Sequence, residues 1–554
     1  MKISKVLSFR EKFTAAFLIL VVALSFLFWI RYIYRNITVP IPKKGGEYTE
    51  GIVGQPIYVN PLLSQANEAD ADLSQLIYSG LFKYDSVGNP IKDLAESYEI
   101  SDDQKTYTIH LRKDAIWHDK QTVTADDAVF TFNILKDPAY KSPLRQNWQD
   151  VSVEKTDDYT FTFNLKNPYF GFLGNLTVGI LPKHVWQGIA PEKFSLANNN
   201  TKPIGSGPYK FVNAKKDSEG NVISCEMAAF DKYYQGEPNI TRLVFNFYPD
   251  EDMMLDAYNK KEIKGISNIS SNKTQLIKNG KTTHIYQISL PRYFAIFFNQ
   301  VKSVPLADLE VRKALSYATN RNEIIGLVME GKGTPVFSPF LPSMKEYAND
   351  IEKYDFNPDK ANEILDAAGW KMNEEKGIRE KNGVELKFGI FTTDWPDLEE
   401  TAQTISRQWE AVGARAEVNT LTVSDLQQNY IRPREYDSLI FGQAINFNPD
   451  IYSFWHSSQK DDPGLNLSLF VNKQVDDILD SARQESDRDK RVEKYRELQK
   501  ILADKIPAIF LYSPSYLYAV SDEVQGIDVK NLNAPFWRFA DVGKWYVKTK
   551  RVFK

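Results

Sequence analysis

The chain has 554 residues, 42% of them apolar and 25% charged, which is enough material for more than one packed lobe. A net charge of -4 gives no support to nucleic-acid binding. A single cysteine, Cys225, excludes an intrachain disulfide and a cysteine-based zinc site, and the five histidines are scattered.

Residues 13–30 form an uncharged apolar run. At about 1.5 Å per residue such a run reaches about 27 Å, close to the roughly 30 Å of a hydrocarbon core. Trp29, Tyr32 and Tyr34 would sit at one interface. A cleaved signal peptide is the alternative. No small-x-small site follows the run, which continues Ile30-Arg31-Tyr32-Ile33-Tyr34-Arg35, and no cysteine near its end would carry a lipid. Residues 1–36 are therefore expected to be a retained signal anchor. Lys2, Lys5, Arg10 and Lys12 precede the run and Arg31, Arg35, Lys43 and Lys44 follow it, so the positive-inside count is a tie. Residues 37–46, with Pro40, Pro42 and Gly45-Gly46, read as a short stalk.

Beyond the stalk, Tyr107, Ile109 and Leu111 alternate with Thr106, Thr108, His110 and Arg112, the period of a half-buried strand. Thr124 and Asp127 make a capping box ahead of Ala128, Phe132 and Leu135 at helical spacing. Trp117-His118-Asp119 lies between them. A catalytic His-carboxylate pair competes with a structural loop there, and adjacent residues rarely face each other. Tyr159, Phe161, Phe163 and Leu165 mark a second alternating strand. Residues 202–209 are rich in turns. A phosphate loop is the weaker reading, because no Gly-Lys-Ser/Thr follows and Pro208 removes an amide donor.

Residues 293–299 form an aromatic strand, and Asp308 caps a helix with Val311, Ala314, Leu315 and Ala318 on one stripe. Asn357-Pro358 opens another helix, with Ala361, Ile364, Leu365 and Ala368 as its stripe and Gly369 as its stop. Leu398, Ala402, Ile405, Trp409 and Val412 stripe a further helix ended by Gly413. Strands at Arg415–Leu421 and 436–441 complete an α/β rhythm. No internal repeat and no long low-complexity linker is present, which favours interwoven lobes. Gly-x-Ser-x-Gly and His-Glu-x-x-His motifs are both absent.

Leu94-Ala95-Glu96-Ser97-Tyr98, the strand ending Leu111-Arg112, Trp117-His118-Asp119 and Thr124-Ala125-Asp126-Asp127-Ala128 together resemble the signature segment of the family 5 extracellular solute-binding proteins. These are the dipeptide- and oligopeptide-binding receptors of ABC importers. Further likenesses are Gly205-Ser206-Gly207-Pro208-Tyr209, Asn299 with Val311-Arg312-Lys313-Ala314-Leu315, the pattern from Phe356 to Gly369, and the apolar strand 506–512. Lys120 stands where the family usually has glycine, which implies a turn built differently after Asp119.

The resemblance covers the chain from about Gly45 to beyond Tyr512. It implies an α/β, two-lobed periplasmic-binding-protein-like clamshell of type II with an extra inserted domain, preceded by one transmembrane helix. Residues 45–88, 201–286 and 516–554 would form lobe I, 89–200 the inserted domain, and 287–515 lobe II. The large C-terminal part is placed outside the cytoplasm by the resemblance alone. The implied role is a monomeric, membrane-anchored receptor that captures peptides for ABC permease subunits, with no catalysis, cofactor, metal or nucleic acid. A sugar or metal-chelate cargo, or an anchored hydrolase or sensor on the same fold, are the rival readings.

The family meets a peptide's amino terminus with an aspartate in a Gly-Trp-x-x-Asp-aromatic-x-x-Pro segment, since a buried ammonium without a counter-charge is costly. Here the segment reads Gly442-Gln443-Ala444-Ile445-Asn446-Phe447-Asn448-Pro449-Asp450, with Asn446 at the aspartate and Gln443 at the tryptophan. Either Asp450 supplies the charge, beside Tyr452 and Trp455, or the ligand is not a peptide with a free amino terminus. A helix-capping Asp450 with the two aromatics in the core is the competing interpretation. Tyr293 and Phe297 face either the cleft or the core, and Trp395 lies in a loop after a strand, a common place for binding groups.

Overall fold

A computed structural model describes residues 8–85, 88–278 and 280–554. Its apolar side chains separate into cores that follow the chain's path. One core gathers residues between Tyr48 and Phe247, then Ile288 and Leu290, then residues from Tyr516 to Trp545. Two more, back to back, are built from residues between Tyr293 and Tyr512. The chain therefore passes from the first half to the second near Pro291 and returns near Pro514.

Both passages are β-strands. Thr283–Ser289 and Arg292–Phe298 flank Pro291, and the 14-residue strand Ala508–Ser521 runs antiparallel to both. Its first part pairs with Arg292–Phe298 and its last part with Thr283–Ser289. The sheet that results runs in the order Arg415–Leu421, Lys387–Thr393, Ser438–Ala444, Arg292–Phe298, Ala508–Ser521, Gly265–Ile266, Glu47–Val53, Arg242–Tyr248, Val222–Ala229 and Tyr209–Lys216.

The inserted region has its own four-stranded sheet, ordered Ala95–Ile100, Thr106–Leu111, Thr160–Leu165, Val151–Lys155. Tyr107, Ile109 and Leu111 are buried and share a core with Phe132, Phe161 and Phe163, as their alternation requires. The helix Ala125–Lys136 carries the capping box, with the Thr124 amide donating to Asp127 Oδ2 at 2.9 Å.

A buried ion network ties the first half together. Arg538 donates to Glu50 at 2.6 Å and to both oxygens of Asp72, while the Tyr518 hydroxyl donates to Glu50 at 2.9 Å. The charged groups of Arg538, Glu50 and Asp72 are fully shielded from solvent. These side chains belong to strand Glu47–Val53, helix Glu68–Ile77, the crossing strand and the turn Pro535–Phe539, so one guanidinium fastens four separate stretches of chain.

The apolar helix Phe9–Ile37 stands clear of the rest, with Phe17, Leu18, Ile19, Leu24, Leu27 and Phe28 all exposed, and its Lys12–Ile37 part is long and apolar enough to cross a membrane. The stalk after it is not a free tether. Thr38–Pro42 pairs antiparallel with Thr549–Phe553, and Arg551 Nη2 reaches back to Thr38 O at 2.7 Å and Arg35 O at 2.9 Å. The partner strand lies at the far end of the chain, beyond the reach of any local sequence pattern.

The Trp-His-Asp loop is structural. Trp117 is buried, and His118 is clamped between two glycines: the Gly205 amide donates to Nδ1 at 3.2 Å, and Nε2 lies 3.0 Å from Gly207 O. Side chains at those glycines would meet the carbonyl oxygens of Leu76 and Ile77, which accounts for the glycines without any phosphate. Lys120 adopts the left-handed region at φ 78°, a conformation that favours glycine, so the strain there is carried by a residue with a Cβ. Lys120→Gly removes that strain at some cost in chain entropy and is expected to stabilise the protein by about 0.5–1 kcal/mol in urea denaturation.

Burial pushes the His118 imidazole from its ordinary value of 6.5 down to about 4. Between those values the unfolded chain binds a proton that the folded chain refuses, so this group removes stability as pH falls through the window. Urea unfolding at pH 7 and pH 4 should show the wild type losing about 3 kcal/mol more than His118→Gln.

Candidate functional site

The register of the sheet creates a cleft at the crossing. Lys387–Thr393 runs parallel to both Arg415–Leu421 and Ser438–Ala444, so all three carboxyl ends lie at one edge. Ala444 sits opposite Arg292, the first residue of the crossing strand, so that edge faces the hinge. In the other half, Glu47–Val53 runs parallel to Arg242–Tyr248 and to Gly265–Ile266, and Gly265–Ile266 pairs with Val520 and Ala519. These carboxyl ends also point toward Pro514. Two sets of strand carboxyl ends thus confront each other across the hinge, which is where open α/β sheets place ligands. Asn67 caps the helix Glu68–Ile77 on one side, accepting from the Ala69 amide at 2.9 Å, and Pro396–Glu410 starts on the other.

Asn446 is exposed just past Ala444, and Trp395 is 55% exposed at the start of its helix, so both stand at the cleft edge. Phe447 touches the opposite half: its amide donates to Asn533 Oδ1 at 2.9 Å and its ring packs against Gly88, where a Cβ would approach to 2.9 Å.

Tyr293, Phe297, Gln443 and Trp455 are buried on the other face of the sheet. The Tyr293 hydroxyl donates to Gln443 Oε1, the Tyr293 ring lies 5.3 Å from Phe510, and Phe297 is 6.3 Å from Trp455. These four pack in the core with helices Lys473–Arg483 and Arg488–Lys505 and do not line the cleft. Strand alternation accounts for it: Tyr293, Ala295 and Phe297 face one core of this half, while Phe294, Ile296 and Phe298 turn to the other.

Asp450 does not offer a free charge. Its Oδ2 accepts from Arg483 Nε at 2.8 Å and its Oδ1 from the Tyr452 amide at 3.1 Å, so it is both an ion-pair partner and a turn cap. Tyr452 stacks on His456 at 4.2 Å and lies under Arg483 at 4.3 Å.

Arg483 belongs to a contact between the halves that sequence reasoning missed. It also lies 5.6 Å over Tyr169 of the inserted region, while Arg491 sits 3.7 Å over Phe170 and donates to Asn448 at 2.9 Å. Two arginines of one half thus grip two adjacent aromatics of the other. The only local signal is an aromatic pair after Pro168, which does not reveal its partner. Among the described residues no group of three or more His, Cys, Asp or Glu gathers to hold a metal ion.

Cation–π contacts of this kind contribute about 1–2 kcal/mol when shielded from water. Phe170→Ala is therefore expected to loosen the closed form, raising the radius of gyration in small-angle scattering without ligand while leaving the melting temperature nearly unchanged. An unaltered scattering curve would assign the contact no part in closure.

A model of the bacterial extracellular solute-binding proteins, family 5 middle region, matches residues 89–464. The oligopeptide-binding protein AppA of Bacillus subtilis is 29% identical over 493 residues, covering 88% of this chain and 89% of that protein. The structure of AppA in complex with a nonapeptide superposes with a TM-score of 0.74 at 28% identity, covering 92% of this chain and 100% of the other. The dipeptide-binding protein of Escherichia coli is 29% identical over 509 residues, 86% of this chain and 91% of that one. NikZ of Campylobacter jejuni, solved with Ni(L-His), has a TM-score of 0.74 at 26% identity and covers 91% of this chain and 100% of the other.

Proposed function

The chain belongs to the bacterial extracellular solute-binding proteins of family 5, and from that premise we propose that it captures peptides between its lobes and delivers them to the permease of an ABC importer. The carrying observation is the cleft itself, where strand carboxyl ends of two lobes face each other beside a two-strand crossing. A ligand seated there touches both lobes, and contacts to both are what drive closure. An extended peptide suits such a place because its backbone adds hydrogen bonds along strand ends while its side chains project alternately. Peptide ligands of AppA and of the dipeptide-binding protein support the same reading.

The receptor acts as a monomer held at the membrane by Lys12–Ile37, with the lobes on the extracytoplasmic side. Its chemistry is capture and release, in keeping with relatives that are receptors. A non-peptide solute is the second reading. It is favoured by Asn446 at the position of the family's ammonium-binding aspartate and by the engagement of Asp450 with Arg483. The Ni(L-His) complex of NikZ is a precedent on this fold.

Isothermal titration of the full chain in detergent with dipeptide to pentapeptide mixtures separates the two. Heat and saturation at a one-to-one ratio are expected. No heat with any peptide, together with a non-peptide mass retained in native mass spectrometry, would transfer the role to another solute.

A further inference from the structure

The buried arginines of this protein find internal partners for their guanidinium groups, whereas Arg292, which is only part-buried, does not. Arg312 donates to the carbonyls of Leu306, Lys505 and Ile506, Arg379 to those of Trp370 and Val412, and Arg321 to that of Phe510. Arg538 has its two carboxylates. Arg292 has none of this. Its Nε is shielded from solvent without a hydrogen-bond partner, and among the described residues its guanidinium forms neither a hydrogen bond nor an ion pair. A guanidinium keeps its charge under all ordinary conditions, so it cannot escape the cost by neutralising.

The place matters. Arg292 follows Pro291 at the lobe crossing and sits opposite Ala444, two residues before Asn446, at the strand ends that face the cleft. Its electrostatic neighbours are Glu68, Tyr512 and Tyr516. Glu68 and Tyr516 belong to the facing half and lie beside each other, with Glu68 Oε1 and the Tyr516 hydroxyl both shielded and without a well-formed hydrogen bond. Glu68 is near enough to Arg292 to be felt, yet the two do not close into an ion pair. An unpaired guanidinium on one side of a cleft and a carboxylate and hydroxyl on the other are complementary to a ligand that carries both an acceptor and a donor.

We propose that Arg292 is the anchor for a carboxylate of the ligand, with Glu68 Oε1 and the Tyr516 hydroxyl meeting polar groups of the same ligand from the facing lobe. The guanidinium fork matches a carboxylate through two parallel hydrogen bonds. Two residues along the strand, the Phe294 ring packs 5.4 Å from that of Tyr512. Because the donor and the acceptor lie in different lobes, the ligand would bridge the cleft at its hinge end. This inference rests on the receptor reading above and specifies what that receptor holds.

The test compares the full chain in detergent with its Arg292→Gln and Arg292→Lys variants by isothermal titration. The probes are trialanine to pentaalanine with a free carboxyl terminus, their carboxy-terminal amides, and amides carrying one internal aspartate. In the wild type, amidation is expected to weaken binding about 30-fold. Recovery by the aspartate-bearing amide would identify a side-chain carboxylate as the source, and no recovery the terminal one. In Arg292→Gln the preference should shrink below about twofold, any recovery by the aspartate-bearing amide should be lost with it, and Arg292→Lys should keep part of the preference. Equal binding of acids and amides by the wild type, or an undiminished preference in Arg292→Gln, overturns the anchor and leaves the peptide reading intact. Binding of none of the probes overturns the peptide reading instead. Native mass spectrometry then decides the anchor: a carboxylate-bearing solute retained by the wild type and lost in Arg292→Gln supports it, and equal retention overturns it.

Discussion

Two antiparallel crossings, one through Pro291 and one through Pro514, join the halves of this protein within a single sheet. Each half keeps its own apolar core, so neither needs the other to bury its side chains. What the halves share is backbone hydrogen bonding along the crossing strands. That arrangement is stiff along the sheet and compliant to bending at the prolines, where a backbone donor is missing. A few residues that absorb dihedral change between rigid bodies are the usual makings of hinge closure.

The distal contact complements the hinge. Tyr169 and Phe170 under Arg483 and Arg491 lie far along the chain from the crossing strands and use cation–ring contacts in place of apolar core packing. Near the hinge the same clamshell places charges that its own side chains leave unsatisfied. The protein's own side chains thus pair across the halves at the distal contact, while at the hinge end Arg292 is left without an internal partner.

Much of the scaffold was legible in the residues because it obeys local periodicity. Tyr107, Ile109 and Leu111 alternate into a core, Thr124 and Asp127 cap a helix, and Asn357-Pro358 begins another with its side chain accepting from the Lys360 amide at 3.0 Å. The cleft was less legible. Alternation in strand Arg292–Phe298 tells that Tyr293 and Phe297 share a face but not which face, and aromatic character drew attention to the wrong one. Gln443 and Trp455 were misplaced for the same reason, because burial of a polar or aromatic side chain depends on helices packed from elsewhere in the chain. Asp450 found its arginine 33 residues away, and Phe170 its arginine in another lobe. Partnerships of that kind are set by tertiary approach and leave no spacing to read. Lys120 shows the converse: the backbone adopts a conformation that favours glycine although the residue is a lysine.

The ribbon of Thr38–Pro42 with Thr549–Phe553 bears on how far the receptor could roam. A flexible leash of n residues would let the lobes wander over roughly 5–6 Å times the square root of n. Here that leash has been zipped into rigid structure, leaving almost no slack between the helix and the first lobe. With the helix lodged in a bilayer, the mouth of the cleft would hover at a fixed height and tilt, and its search for a transport channel would become a two-dimensional drift in the plane of the lipid.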